Sequence, residues 1–158
     1  MKVEVVRSPR RRKTVQARQV GDVVRVSIPA TMTRAEEARF VGEMVSRMQR
    51  RKECAAVDLS QRAAALAARH HLPVPASICW VDNQRWRWGS CTPEKGAIRI
   101  SSRVASFPPW VLDYVLVHEM AHLCVPGHGP DFWALVGRYP RADQARGFLM
   151  AKGGEGEP

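Results

Sequence analysis

The sequence predicts an α+β fold on three observations. Alternating, β-branched runs gather at the N-terminus and again between residues 77 and 102; capped stretches with apolar residues at helical spacing lie between and after them; and one strongly apolar helical segment carries histidines four residues apart. With 158 residues and 45% hydrophobic content, the chain can bury one ordinary core. One domain is expected over residues 1–150, with the glycine- and glutamate-rich residues 151–158 as a disordered tail.

Residues 3–7 and 14–28 read as N-terminal antiparallel strands, with VVRVSIP alternating after a hairpin turn at Gly21-Asp22. Thr33 and Glu36 form a capping box that opens a helix over about 34–52. Phe40, Val41, Met44, Val45 and Met48 recur along it at helical spacing and are expected in the core. Asp58 or Ser60 caps an alanine-rich helix that stops before Pro73. His70 and His71 close that helix, where a partly cationic ring suits the dipole. Two further strands are expected at 77–88 and 97–102, joined through Gly89 to Gly96. Pro108-Pro109 then starts the helix WVLDYVLVHEMAHL, and Gly129-Pro130-Asp131 starts another.

Charge is unevenly placed. Residues 1–52 carry 14 Lys and Arg against 5 acidic residues, whereas 53–158 carry 11 against 10. Arg7, Arg10, Arg11, Arg12 and Lys13 fall between or beside two expected strands, either as a solvated loop or as a non-specific contact for nucleic acid. The four cysteines form no C-x-x-C pair and read as reduced packing residues. No window approaches the roughly eighteen uncharged apolar residues of a membrane span, so no membrane partner is expected and the chain is placed in the cytoplasm.

Three of the five histidines lie in VHEMAHLCVPGHGPDFW. His118 and His122 are one helical turn apart on one face and can hold one metal ion. Glu119 points to an adjacent side, where a general base acts on water. Pro126-Gly127 ends the helix and turns the chain so that His128 becomes the third ligand. Cys124, two residues after His122, faces elsewhere. Three neutral nitrogens with an open fourth position make a catalytic zinc site, one ion per chain, and point to peptide hydrolysis. The metzincin pattern is excluded because Val125 stands where that pattern has Gly.

The run from Arg87 to Pro140 resembles the YgjP-like family of zinc metallopeptidases, relatives of the SprT-like group. The likeness rests on Arg87-Trp88-Gly89-Ser90-Cys91, the strand after Gly96, Asp113-Tyr114-Val115 and Phe132-Trp133, and extends to Arg12-Lys13-Thr14 and the strand ending at Pro29. Ser101 and Gly129 depart from it. The resemblance implies a small zincin-like α+β domain in which the HExxH helix lies beside a short sheet. It assigns zinc to His118, His122 and His128, base duty to Glu119, and a peptide or protein as substrate. In zincins the strand beside the helix binds substrate by β-addition, so Arg87 and Trp88 are candidates for the cleft, and Trp88 equally for the core with Trp80 and Trp86. Asp131 is either an orienting carboxylate for a histidine or a helix-start residue. Tyr114 and Tyr139 are the two candidate oxyanion stabilisers. Two alternatives stand beside the peptidase: a nucleic-acid-associated protease, and a metal-binding module without turnover.

Overall fold

A computed structural model describes residues 2–153; Met1 and residues 154–158 of the expected tail lie outside the described residues. The chain divides into two compact units, Met1–Arg51 and Lys52–Pro158.

The first unit holds β1 (Lys2–Ser8), β2 (Gln16–Val20) and β3 (Val23–Pro29) in the order β1-β3-β2. β3 takes the centre because one face of it is wholly apolar, and Val24, Val26 and Ile28 are each 0% exposed. β2 pairs antiparallel with β3 through the predicted turn, where Gly21 adopts φ 58°. The expectation of antiparallel strands fails at β1, which pairs in parallel with β3, Lys2 opposite Val23 through Ser8 opposite Pro29. Residues 9–22 supply the dozen or so residues that a parallel connection requires. α1 (Arg34–Ala55) begins at the predicted capping box, Glu36 N–H donating to Thr33 Oγ1 at 3.3 Å and Thr33 N–H to Glu36 Oε2 at 2.9 Å. Its apolar stripe is only half-buried, contrary to expectation, and no described residue of α1 is fully buried. Val41 and Met48 pack on the cluster of Val24, Val26 and Ile28, which is too small to cover the stripe of a 22-residue helix.

The second unit carries α2 (Leu59–His70), β4 (Ser77–Val81), β5 (Gly89–Thr92), β6 (Ala97–Ser101), α3 (Pro109–Ala121), α4 (Pro130–Val136) and α5 (Ala142–Ala151). Asp58 caps α2, its Oδ1 accepting from Gln61 N–H at 2.9 Å. His71 ends the helix in the left-handed conformation, and Arg138 Nη1 donates at 3.0 Å to the carbonyls of both His70 and His71. The His70 ring is not the exposed cation expected there. It lies 6% exposed against the edge of Tyr139, and burial lowers its pKa, so desolvation outweighs the dipole.

The sheet is ordered β4-β6-β5, with β6 parallel to β4 and antiparallel to β5. The long strand expected at 77–88 ends at Val81, and residues 82–88 form a loop. The segment read as a connection contains β5 instead. α3 runs beside this sheet and also touches α2, α4 and α5. Ten of its thirteen residues are buried, as an all-round apolar helix requires. A half-buried pair, Arg62 Nε to Asp113 Oδ1 at 2.6 Å, ties α2 to α3. Ala151, expected in the tail, closes α5. No described helix is long and apolar enough to cross a membrane.

Candidate active site

His118 sits in the last turn of α3, fully buried, and His122 follows one turn later as its C-cap, still in helical conformation at φ −67°. Helical periodicity alone brings these two rings to 5.0 Å between centroids. Beyond Val125, Gly127 takes φ 74° and the chain doubles back, as Pro126-Gly127 predicts. His128 is thereby returned to the helix end just before α4 opens at Pro130. His128 Nε2 lies 3.2 Å from His122 Nε2 and 3.3 Å from His118 Nε2, and one ligand atom from each ring falls within 4.8 Å of the others.

Those separations test the fit to a metal. Nitrogens bound about 2.0–2.1 Å from a tetrahedral zinc stand roughly 3.3–3.4 Å apart, close to the separations of His128 Nε2 from the other two rings. His122 Nδ1 lies 3.3 Å from the Val125 carbonyl, and a proton donated there leaves Nε2 bare. Burial lowers the pKa of His122, outweighing the Val125 carbonyl, which raises it, with His128 adding to the lowering, and so favours the neutral ring a metal needs. The three rings fit a metal site. Cys124 is exposed and is not part of the cluster.

Glu119, 2% exposed, is seated against the sheet rather than among the histidines. A Cβ on Gly89, the first residue of β5, would lie 2.8 Å from Glu119 Cγ and 2.9 Å from its Cδ, so the missing side chain of Gly89 is the space the carboxyl occupies. Burial pushes Glu119 up to about 8, with the exposed Arg87 guanidinium pulling the other way. The sequence reads Gly89 only as the start of a connection between strands and as part of Arg87-Trp88-Gly89-Ser90-Cys91. That glycine, at the start of a strand, was the available signal.

An aromatic group surrounds the histidines. Phe132, 0% exposed, stacks on His122 at 4.3 Å and meets His118 and His128 edge-on at 4.8 and 4.7 Å. Trp133 stacks on His128 at 5.9 Å, and Arg146 of α5 lies over that indole at 4.4 Å. Phe132, four residues after His128 and in the first turn of α4, holds the returning loop against α3.

The remaining predicted residues separate. Tyr114 is buried one turn before His118, its ring 6.0 Å away, whereas Tyr139 donates its hydroxyl to the Trp110 carbonyl at 2.9 Å and belongs to the packing. Asp131 is exposed in the first turn of α4, the helix-start position. Trp88, 1% exposed, packs edge-on to Phe107 at 5.3 Å beneath the Arg103 guanidinium and so belongs to the core rather than an open cleft. Trp86 leaves the expected core face altogether, at 69% exposed. In the first unit, Arg7, the penultimate residue of β1, pairs with Glu37 and donates to the carbonyls of Ala30 and Met32, while Arg11 bonds Thr14 and Gln16. Arg10, Arg12 and Lys13 are exposed.

In this α+β chain three histidines converge at the end of a buried helix, with a buried glutamate next in sequence to the first, an arrangement that fits a metal centre. The description "YgjP-like, metallopeptidase domain" matches residues 46–149, about two thirds of the sequence, and the chain belongs to that family. The match leaves the first 45 residues outside it. No curated protein matches. Among solved structures the fold is similar to the metallopeptidase zymogen abylysin of Pyrococcus abyssi, with a TM-score of 0.53 and 20% identity over 58% of this chain and 91% of that one. It is also similar to the metallopeptidase zymogen jannalysin of Methanocaldococcus jannaschii, with a TM-score of 0.52 and 17% identity over 61% and 97%.

Proposed function

We propose that the protein is a zinc-dependent peptidase in which His118, His122 and His128 hold one ion per chain and Glu119 is the general base. The observation that carries this reading is the near-tetrahedral-edge spacing of His128 Nε2 from the Nε2 atoms of His122 and His118, with a buried carboxyl seated in the gap left by Gly89. When bound, zinc supplies Lewis acidity toward a carbonyl oxygen and lowers the pKa of a water to about 7. Glu119 accepts the water proton as it attacks the scissile carbonyl and hands it to the leaving amine. Its burial makes it a stronger proton acceptor, and the charge of a bound zinc would return the carboxyl toward the ionised form a base requires. His122 Nδ1 donates to the Val125 carbonyl and fixes the tautomer. β5 is an edge strand of its sheet, so an extended peptide added along it has its main chain held beside Glu119. Of the two tyrosine candidates for the oxyanion, Tyr114 is favoured by its nearness to His118, the rings 6.0 Å apart.

Elemental analysis with a peptide-library digest tests the reading. One zinc per chain is expected, lost on His118→Ala, His122→Ala or His128→Ala. Glu119→Gln should keep the metal and lose about two to four orders of magnitude in hydrolysis. A zinc-loaded wild type that cleaves nothing would leave a binding module.

A second reading adds nucleic acid as a partner of the same enzyme in the cytoplasm. It is favoured by a concavity of about 420 Å³ on the first unit, which places Arg11, Arg18 and Arg25 around Gln16 and Ser27. Arg18 and Arg25 are direct cross-strand partners, a like-charge pairing that Glu4 already offsets in part by accepting from Arg25 Nε at 3.0 Å and that an anion would relieve further. Replacing Arg10, Arg12, Lys13 and the concavity's Arg18 with Ser leaves the internal bonds of Arg7, Arg11 and Arg25 intact. Duplex binding that is salt-steep in the wild type and weakened in this variant would support the reading. No duplex binding at low salt ends it.

A further inference from the structure

Residues 82–88, between β4 and β5, adopt no regular structure, yet the loop is tied down along its length. Ser102 Oγ donates to Asp82 Oδ1 at 2.5 Å, Gln84 Nε2 to Ser90 Oγ at 2.6 Å, and Arg103 Nη1 to the Arg85 carbonyl at 2.5 Å. Trp88 closes the loop as a buried anchor. Between these fixed points Trp86 is 69% exposed. A flexible loop could fold such an indole away from water, whereas this one holds it out. An aromatic surface fixed in advance loses little freedom when it meets a ligand, and a tryptophan offers the largest apolar face of any side chain.

Its location gives that surface a use. Trp86 precedes Gly89 by three residues, so the two Cα atoms are no more than roughly 11 Å apart. Gly89 in turn abuts the Glu119 carboxyl and starts the edge strand. An extended peptide advances about 3.3 Å per residue, so a chain laid along β5 passes Trp86 some two to four residues from the bond facing Glu119.

We propose that Trp86 is a specificity-determining residue that reads an apolar or aromatic side chain of an extended peptide substrate, two to four residues from the scissile bond. This rests on the peptidase reading above. The peptide crosses from β5 onto the indole, and the pinned loop sets the distance between the side chain being read and the bond being cut.

The test uses the full-length, zinc-loaded protein and the best-cleaved peptide from a library, resynthesised with Phe, Leu or Ser at each position on both sides of the cut. Wild type should prefer Phe or Leu over Ser at one position by about tenfold or more in kcat/KM. In Trp86→Ala that preference should fall to about twofold or less, chiefly through KM, while Trp86→Phe keeps most of it and zinc content and Tm stay unchanged. In the Glu119→Gln background, where hydrolysis is slow enough for binding to equilibrate, Trp86→Ala should weaken the Kd of the Phe peptide by a similar factor. A Trp86→Ala enzyme with its preference intact overturns this inference alone. A wild type that cleaves nothing overturns the peptidase reading and this inference with it.

Discussion

Gly89→Ala adds one methyl group at the closest approach between β5 and α3. The new Cβ would stand 2.8 Å from Glu119 Cγ and 2.9 Å from its Cδ, with the carboxyl oxygen nearer still. Carbon atoms rest at about 3.5–4.0 Å, so the groups must part by roughly 0.7 Å or more. Glu119 has no free rotamer to take up, being 2% exposed in a helix buried nearly all round. The displacement therefore falls on the carboxyl itself and on the β5 backbone. Overpacking of this kind costs about 1–3 kcal/mol of stability. A catalytic group misplaced by about 1 Å loses on the order of a hundredfold in rate. Three measurements separate the effects: zinc content, which should hold near one per chain; Tm, which should fall; and kcat/KM on a library peptide, which should fall about a hundredfold. A double-mutant comparison closes the argument, because in a Glu119→Gln background the same Gly89→Ala change should remove little further activity. Wild-type turnover by Gly89→Ala would refute the idea that the glycine exists to seat the base.

Phe132→Ala removes the ring that touches all three histidines, and should cost about 3–5 kcal/mol of stability and about tenfold or more in zinc affinity by chelator competition. Unchanged affinity in a folded Phe132→Ala protein would show that the ring only fills space. Burial, with Glu119 and Glu94 behind it, pushes the Cys91 thiol up to about 11, so its thiolate at pH 8 is roughly a hundredfold scarcer than that of an ordinary cysteine. Mass spectrometry of timed alkylation should therefore find the exposed Cys79 and Cys124 modified well before Cys91. His70 is depressed below its ordinary value by burial, so the unfolded chain, titrating near about 6.5, takes up the proton first. Its contribution to stability is present above that pH and is lost as pH falls through the lower folded value. Between pH 7.5 and 5, the Tm of the wild type should fall faster than that of His70→Phe, and parallel curves would contradict the assignment.

What the sequence disclosed was mostly periodic and local. The Thr33–Glu36 capping box, the Gly21 turn, the all-apolar α3 and the return of His128 through Pro126-Gly127 are each set by neighbours within a few residues, and each appears as read. The misreadings involve partners outside the misread segment itself. GSCT lacks apolar alternation, and it is a strand because β6 lies beside it. Trp80, Trp86 and Trp88 fall at even spacing and imitate one strand face, yet the bonds from Ser102 and Arg103 hold the intervening residues as a loop and turn Trp86 outward. β1 joins β3 in parallel, which no pattern inside β1 announces. Gly89 was visible as a letter, but its meaning lies thirty residues away, in Glu119.

The burial of α3 bears on how this chain can change over time. An ordinary surface helix leaves most of its positions free to drift, and substitutions accumulate there with little harm. From Tyr114 through Ala121 every side chain of α3 is buried, so that stretch offers drift no neutral ground. A saturation screen should return an unbroken intolerant band across those eight positions, without the three-to-four-residue rhythm that amphipathic helices print on such maps. New specificities would then have to be acquired at the rim, in residues such as Trp86, while the helix that carries His118 and Glu119 stays nearly frozen.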